Sequence, residues 1–280
     1  MAGIDWTPWL GKAREEVDRV TPTHVGAWNA TLDRDVPFPL DGEAAPLGFH
    51  WALFPPLARG SELGDDGHAR TGNFLPPVPL PRRMWAGSRL RFHRPLKVGA
   101  RVDRRSVVSL IVEKGSRSGP LIFVTVHHSL TCNGELAIEE DQDLVYREMS
   151  SPAVDRPRDP LPTAAWRCTI EPHETLLFRF SALTFNGHRI HYDRRYAEEV
   201  EGYAGLVVHG PLIATLLLQL LAERKPDQTV TRFEFKAIRP TLDIAAFDIH
   251  GAPTEDPNVV RLWSTNARAE KAVEAEAWIR

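Results

Sequence analysis

The sequence predicts an α+β protein built from two strand-rich halves of similar organisation. An Arg-Pro pair follows a strand-like segment twice, at Arg94-Pro95 and at Arg239-Pro240, about half the chain length apart. Apolar and polar residues alternate in both halves, which is typical of strands with one buried face. The predicted strands are 84–94, 98–114, 120–133 and 136–147 in the first half, and 228–238, 243–250, 258–268 and 271–280 in the second. We therefore predict two modules of the same kind.

A linker is predicted between the two modules. The segment from Ser150 to Trp166, SSPAVDRPRDPLPTAAW, contains four prolines, a composition typical of an extended connection. We place the boundary near residue 155, which gives an N-terminal module at 1–155 and a C-terminal module at 156–280.

Composition restricts the classes of function. The chain has 280 residues, 42% of them hydrophobic, which is enough for a large core or two compact domains. A formal charge of −3 gives no general attraction to nucleic acid. No apolar run approaches the roughly 20 residues that span a bilayer, and the start of the chain lacks a secretory pattern. With only Cys132 and Cys168 and no paired spacing, we expect ordinary thiols in a soluble, cytoplasmic protein that binds neither membrane nor nucleic acid.

The second half contains a clear candidate for a buried helix. The run HGPLIATLLLQLLAER, 209–224, is apolar almost all round and is stopped by Pro226. Because the first N–H groups of a helix have no partner inside it, the amide of Gly210 is available to a negatively charged oxygen. The alternative is that His209 and Gly210 only form a tight helix entrance before Pro211.

The first half has a weaker counterpart of this helix. The stretch PLGFHWALFPPLARG is interrupted by Pro55-Pro56. A segment rich in glycine and proline follows from Arg59 to Arg83, which we call the excursion. We expect the first module to be modified for a role other than the chemistry.

Candidate catalytic side chains crowd into the segment from Phe180 to Leu212. Asn186, His188 and His191 fit neither a strand nor an amphipathic helix, so we predict a loop across a cleft. Histidine titrates near neutral pH, as a general acid or base must. The alternatives are that His191 is a hydrogen-bonded structural histidine, that the His188 side chain points away from the cleft, and that Asn186 braces a turn. Asp193 is predicted to cap the short helix in RRYAEEVEG.

The order FSALTFN-x-H-x-I-H-x-D followed by GL-x-V-HGPL resembles the MaoC-like hot-dog dehydratases, and within them the mitochondrial-type 3-hydroxyacyl-thioester dehydratase branch. The resemblance implies a double hot-dog fold, in which each module wraps a curved antiparallel sheet around a central helix. It also places His191 at the catalytic His of the family motif, Asn186 at the catalytic Asp and His188 at the motif Asn. An amide cannot accept a proton as a carboxylate does. His191 is then the single acid/base, and Asn186 positions water or the thioester.

The resemblance further implies a hydro-lyase that needs no cofactor, takes a CoA thioester as substrate and stabilises the thioester oxyanion at Gly210. It implies an (R)-configured hydroxyacyl product for a simple enoyl thioester, and it leaves a homodimer open. Two other functions stay open. A hot-dog thioesterase typically has an acid at the helix start, which VVHGPL lacks. A non-catalytic acyl-CoA binding module would not need the Asn186 and His191 pair.

The acyl group is suggested by a second resemblance. FLPPVPLPRRMWAG followed by RLRFHRPLKVG is similar to the amino-terminal half of bacterial double hot-dog hydratases that act on mesaconyl-C4-CoA and itaconyl-CoA. A free carboxylate on the acyl group needs a cation, and guanidinium groups bind carboxylates in bidentate fashion. The candidates are Arg82, Arg83 and Arg189, unless they serve CoA phosphates or solvent. His188 and His209 complete the predicted substrate contacts.

Metal and nucleotide sites are not expected. His188, His191 and His209 have no accompanying H-E-x-x-H or cysteine spacing. His127 and His128 are neighbours in a predicted strand, so they face opposite sides and cannot chelate one ion. The segment GDDGHARTGNF matches neither a phosphate-binding loop nor a dinucleotide fingerprint.

Overall fold

The computed structural model describes residues 4–116, 119–149 and 160–280. Ten antiparallel strands form one sheet in the order β1-β3-β4-β5-β2-β7-β10-β9-β8-β6. Their bounds are Ala13–Arg19 (β1), Arg82–Phe92 (β2), Arg101–Ser116 (β3), Gly119–Cys132 (β4), Glu135–Arg147 (β5), Trp166–Ile170 (β6), Val230–Ala237 (β7), Phe247–Pro253 (β8), Val259–Thr265 (β9) and Lys271–Ile279 (β10).

The two halves of the sheet have the same internal order. Strands β1 to β5 run 1-3-4-5-2 and strands β6 to β10 run 6-8-9-10-7, so each half repeats the other. Strands β2 and β7 join them, with Gly87 opposite Lys236 and Arg91 opposite Arg232. A Cβ on Gly87 would overlap the carbonyl oxygen of Phe235, so only glycine fits where the halves meet. Most of the linker lies outside the described residues, and the boundary at 155 stays a prediction.

In the described part of the chain, three α-helices accompany the sheet: α1 (Pro22–Thr31), α2 (Glu174–Leu183) and α3 (Gly210–Arg224). The prediction of a buried helix is confirmed, since α3 ends at Arg224 and ten of its residues are buried. It packs against β8, β9, β10 and β2, so the sheet curves around it. A fully buried leucine contributes about 2 kcal/mol, and α3 buries five of them: Leu212, Leu217, Leu218, Leu220 and Leu221.

The first half has no such helix at the matching position. A short 3-10 turn, Phe49–Ala52, stands there, and the chain then enters the excursion. Trp28 of α1 packs against Phe49 and against Phe180 of α2, with ring centroids 5.7 and 5.6 Å apart. Both halves therefore share one hydrophobic core.

Some elements differ from the predicted ones. The short edge strands β1 and β6 are mostly exposed and lack the apolar alternation that reveals the inner strands. Helix α2 was not predicted, and it ends at Leu183, just before the predicted loop of Asn186, His188 and His191. Strands β3 and β8 begin three and four residues later than predicted. Among the helices of the described ranges, none is both long and apolar enough to cross a bilayer.

Candidate active site

A cavity of about 2290 Å³ opens between the two halves of the chain. Its wall includes His68 and Arg83 from the first half and Asn186, His188, His191 and Gly210 from the second. The loop expected across a cleft therefore does line one.

His191 lies at the end of a one-turn 3-10 helix, Arg189–His191, and is buried. Its Nδ1 is 2.7 Å from the carbonyl oxygen of Val207, an acceptor, so Nδ1 carries the proton and donates it in a hydrogen bond. The remaining nitrogen, Nε2, is then an unprotonated base. Burial lowers the pKa of His191 to about 4, although the bond to Val207 opposes the shift. The imidazole is neutral at pH 7 and ready to accept a proton.

His209 supports His191 from behind. The two imidazole rings stack, with centroids 3.8 Å apart and an angle of 18° between their planes. His209 is 1% exposed and its Nε2 lies 2.8 Å from the hydroxyl of Ser181. His209 does not line the cavity wall, so a direct contact of His209 with substrate stays a prediction, and its stacked position suits a supporting role. Burial, with the neighbouring imidazoles, holds the pKa of His209 well below its usual range, so the stack is uncharged.

Gly210 is the first residue of α3 and faces the cavity. Its N–H has no hydrogen-bond partner within the described ranges. A Cβ built on Gly210 would meet no heavy atom within 4 Å, so the space beside this amide is open. An unpaired N–H at a helix start is a favourable site for an oxyanion.

Asn186 holds the turn that leads to His191. Its Oδ1 accepts a hydrogen bond from the backbone N–H of His188 at 3.0 Å. This is the turn-bracing role that the sequence left open. With Oδ1 engaged, Nδ2 is the group that remains for the cavity, and it can only donate. Asn186 can therefore hold an oxygen atom but cannot remove a proton.

His188 lies between two other imidazoles. Its ring centroid is 5.4 Å from that of His191, edge to face, and 4.4 Å from that of His68. Burial lowers the pKa of His188 to about 2, with further contributions from His191 and Arg83. Its side chain lines the cavity in the neutral state.

His68 was not among the predicted site residues. It belongs to the excursion of the first half and reaches the site only through the fold. Burial, together with Arg83 and the two neighbouring imidazoles, holds its pKa well below the usual range. The only local signal was the turn-rich sequence GDDGH, 64–68, which carries no motif of its own.

The three arginine candidates have different positions. Arg82 lines the cavity, but its Nε lies 2.7 Å from a carboxylate oxygen of buried Glu201, so its charge is already paired. Arg189 does not line the cavity and forms an ion pair with Asp193 at 2.8 Å. Within the described ranges, Arg83 has no carboxylate partner and borders the cavity beside His68 and His188. Of these three candidates, Arg83 is therefore the cation available to a ligand, and Arg82 and Arg189 are not carried into the proposal.

One group of side chains has ligand atoms close enough to suggest a metal ion. Asp66, His68 and His188 each offer one such atom, and these lie within 4.8 Å of one another. Neighbouring Arg83 carries a positive charge, which repels a second cation. The alternative metal site of His188, His191 and His209 does not bring its ligand atoms together in this way. Nδ1 of His191 and Nε2 of His209 are each hydrogen-bonded to another group.

The cap predicted at Asp193 is confirmed. Its carboxylate accepts a hydrogen bond from the N–H of Tyr196 at 3.0 Å, at the start of a π-helical turn, Tyr196–Val200. The strand geometry predicted for His127 and His128 is also confirmed, since only His128 is buried.

Comparison with known proteins agrees with this site. A family model described as hydroxyacyl-thioester dehydratase type 2 matches residues 48–243. The chain is 44% identical over 261 residues to the mesaconyl-C(4)-CoA hydratase of Chloroflexus aurantiacus, covering 91% of this chain and 92% of that protein. It is 28% identical over 260 residues to the mitochondrial hydroxyacyl-thioester dehydratase type 2 of Schizosaccharomyces pombe, covering 80% and 84%.

Solved structures support the fold. HtdX of Mycobacterium tuberculosis superposes with a TM-score of 0.67 at 19% identity, covering 94% of this chain and 99% of that one. A MaoC-like dehydratase of Phytophthora capsici gives a TM-score of 0.73 at 12% identity, covering 99% of both chains. The predicted double hot-dog fold is confirmed. From the family match and the 44% identity, the chain belongs to the hydroxyacyl-thioester dehydratase type 2 family of hydro-lyases.

Proposed function

We propose that the protein adds water across the double bond of a branched C5 dicarboxylic enoyl-CoA, mesaconyl-C4-CoA or itaconyl-CoA, to give citramalyl-CoA. The observation that carries the proposal is the convergence on one cavity of a neutral base, a free helix-start amide and an arginine that has no carboxylate partner in the described ranges. The relative from Chloroflexus aurantiacus, which is named mesaconyl-C(4)-CoA hydratase, supports the choice of substrate.

The proposed reaction uses His191 twice. With mesaconyl-C4-CoA, whose double bond is conjugated to the thioester, Nε2 of His191 takes a proton from water as the water oxygen bonds to Cβ. The electron pair of the double bond moves toward the carbonyl, and the negative charge on the thioester oxygen is held by the N–H of Gly210. The imidazolium then returns its proton to Cα. A positioned base contributes about 10²–10⁴ in rate and an oxyanion donor about 3 kcal/mol.

The stacked pair of imidazoles suits this role. Protonating His191 places a charge against the face of His209, which has no carboxylate beside it. The imidazolium is therefore a short-lived state that gives its proton away readily. Asn186, through Nδ2, supplies a donor that orients the water or the thioester oxygen without taking part in proton transfer.

The free carboxylate of the acyl group is assigned to Arg83. In mesaconyl-C4-CoA this carboxylate is bonded to the carbon that receives the hydroxyl group, so its partner must lie close to His191. Arg83 borders the same cavity and acts electrostatically on His188, the direct neighbour of His191. A crotonyl group has only a methyl at this place and gains nothing from the guanidinium.

Initial rates of hydration of mesaconyl-C4-CoA, itaconyl-CoA and crotonyl-CoA test the proposal, with enoyl absorbance and free thiol followed in parallel. We expect kcat/KM for a dicarboxylic substrate to exceed that for crotonyl-CoA at least tenfold, which corresponds to about 1.4 kcal/mol of selective transition-state contact. Arg83→Gln should reduce this ratio. Arg91→Gln, on the exposed part of the same strand, is the matched control and should preserve it.

Preference for medium or long straight-chain enoyl-CoAs would overturn the substrate assignment. It would favour the second candidate, an (R)-specific dehydratase of straight-chain 3-hydroxyacyl thioesters, for which the family description and the relative from Schizosaccharomyces pombe speak. Release of free thiol would instead indicate hydrolysis. The first turn of α3 carries no acidic residue to activate water for that reaction.

A further inference from the structure

We infer that His68 is a substrate-binding residue of this active site, and that with Arg83 it forms the corner that receives the free carboxylate of the acyl group. The inference rests on the proposed dicarboxylic substrate and adds a residue from the excursion, Arg59 to Arg83, to the site. Three observations support it: the contacts that hold the excursion, the position of the His68 ring beside the cavity, and the lack of hydrogen-bond partners for the ring nitrogens in the described ranges.

Two glycines hold the excursion against the catalytic loop. Gly67 has φ of +86°, and a Cβ on it would overlap the carbonyl oxygen of Gly187. In the opposite direction, a Cβ on Gly187 would lie 2.7 Å from the carbonyl oxygen of Gly67. The two backbones therefore touch directly, one residue before His68 and one residue after Asn186. This is a contact that only glycine permits on both sides.

Hydrogen bonds hold the same contact. The backbone N–H of Arg189 donates to the carbonyl oxygen of Asp66 at 2.9 Å, and the Arg189 guanidinium donates to that of Asp65 at 2.9 Å. Inside the turn, the N–H of His68 donates to the Asp66 carboxylate at 3.0 Å, and its carbonyl accepts from Gly64 at 2.7 Å. His68 is thus fixed in place without any help from a ligand.

One face of the His68 ring packs against a neighbouring ring, and both of its nitrogens remain available to a ligand. It lies against the ring of His188, and it lines the cavity. Neither ring nitrogen has a hydrogen-bond partner within the described ranges. A neutral imidazole always keeps one N–H donor and one acceptor, so it can bind a carboxylate oxygen without taking up a proton.

Arg83 provides the positive charge of this corner. It acts electrostatically on both His68 and His188, and no carboxylate in the described part of the chain is paired with it. A cation next to a neutral donor gives a carboxylate two different hydrogen bonds, the stronger one charge-assisted. Asp66 adds a negative charge to this corner, and one of its oxygens is bound to the His68 N–H.

Steady-state kinetics of His68→Phe with mesaconyl-C4-CoA and crotonyl-CoA tests the inference. Phenylalanine keeps an aromatic ring against His188 and removes both nitrogens. We expect the ratio of kcat/KM for mesaconyl-C4-CoA over crotonyl-CoA to fall at least tenfold, mainly through a higher KM for mesaconyl-C4-CoA. His68→Gln retains a donor and should recover part of the ratio, and it also serves if His68→Phe does not fold.

Asp66→Asn provides an independent test of the inference. Asparagine keeps the oxygen that accepts from the His68 N–H but removes the negative charge, so KM for mesaconyl-C4-CoA should fall. Gly67→Ala displaces the whole turn together with His68, so it should lower kcat/KM for crotonyl-CoA as well as for mesaconyl-C4-CoA, whereas His68→Phe should leave crotonyl-CoA hydration nearly unchanged.

An unchanged ratio in His68→Phe would overturn the inference, as would an equal loss with both substrates, which would make His68 a support for the loop. A higher KM in Asp66→Asn would also contradict it. If the wild-type protein shows no preference for mesaconyl-C4-CoA, the proposed function fails instead, and the two failures are distinguished by the wild-type ratio alone.

Discussion

The rings of His191 and His209 lie face to face, with centroids 3.8 Å apart, and only one of them reaches the cavity. His209 is held by Ser181 and His191 by the Val207 carbonyl, so each imidazole is oriented by a different element. In the proposed mechanism, the nitrogen of this pair that acts on substrate is Nε2 of His191.

Replacing His191 should abolish turnover. Because no carboxylate in the motif can take over the proton transfer, His191→Ala and His191→Gln are expected to lose at least about 10² in kcat. Steady-state hydration assays measure the loss, with thermal unfolding to show that the fold persists. His250→Gln, in β8 and outside the cavity, is the matched control. Retention of more than about one tenth of the wild-type rate would remove His191 from the mechanism.

The pH dependence of kcat/KM should lack a limb near pH 6.5. His191 must be neutral to accept a proton, and burial lowers its pKa to about 4. Activity is therefore expected to stay level as pH falls from 8 to about 5 and to drop only near pH 4. Initial rates taken before the protein unfolds measure the profile. A midpoint near pH 6.5 in kcat/KM, if it is not also seen in substrate binding without turnover, would contradict the neutral state of His191 and His209.

Stability should begin to fall at a higher pH than carboxylate protonation alone would cause. Burial lowers the pKa of His128 to about 4, whereas the unfolded chain titrates near 6.5. The unfolded state therefore binds the proton first, and the free energy of unfolding decreases between pH 6.5 and 4, by at most about 3 kcal/mol for this residue. Urea unfolding across this range, compared between the wild type and His128→Gln, measures the effect. Parallel pH curves for the two proteins would argue against it.

Asn186→Asp should restore a carboxylate while keeping the turn. An aspartate can still accept the N–H of His188, and its second oxygen replaces the donor with an acceptor. A negative charge in the cavity raises the pKa of a nearby imidazole. We expect higher kcat and an acidic limb displaced upward from about pH 4. Asn186→Ala should lose activity, though less than His191→Ala. If Asn186→Asp has the wild-type profile, Asn186 does not act in the site.

A side chain at Gly210 should block catalysis without unfolding the protein. A Cβ there meets no protein atom within 4 Å, so Gly210→Val fills only the space proposed for the thioester oxygen. Losing an oxyanion contact costs about 10² or more in kcat/KM, with little change in melting temperature. Gly115→Val, at an equally open position outside the cavity, is the control. Equal losses of stability and activity would favour a purely structural role for Gly210.

The sequence predicted the parts of the molecule that depend on local pattern. Helix α3 was located to the residue because its apolar run is bounded by Gly210 and by charged residues before Pro226. The inner strands alternate or are buried on both faces, so their periodicity was visible. Strand β6 was missed because its five residues lie at the sheet edge, where nothing imposes a pattern.

Two features of the site depend on contacts between distant residues. The residues next to His209 in the sequence do not show whether its side chain faces the cavity or the core. That orientation is set by the hydrogen bond to the Ser181 hydroxyl and by the stack on His191. His68 is more than 100 positions from His188, and the glycine contact that joins them leaves no periodic trace. The resemblance to the family motif predicted the base, and only the fold could give its surroundings.

The short turn Phe49–Ala52 stands where the second half has a full helix. The two halves of the chain are therefore under different constraints when the sequence changes. The half that kept its helix must preserve the alignment of His191 with the Gly210 amide. The first half instead has a long irregular segment against the same cavity, which contacts the catalytic loop at residues 65–67. Away from those contacts, mutations between Arg59 and Arg83 can therefore alter which acyl groups are accepted while the reaction itself is unchanged. Laboratory evolution of new substrates should concentrate its diversity there.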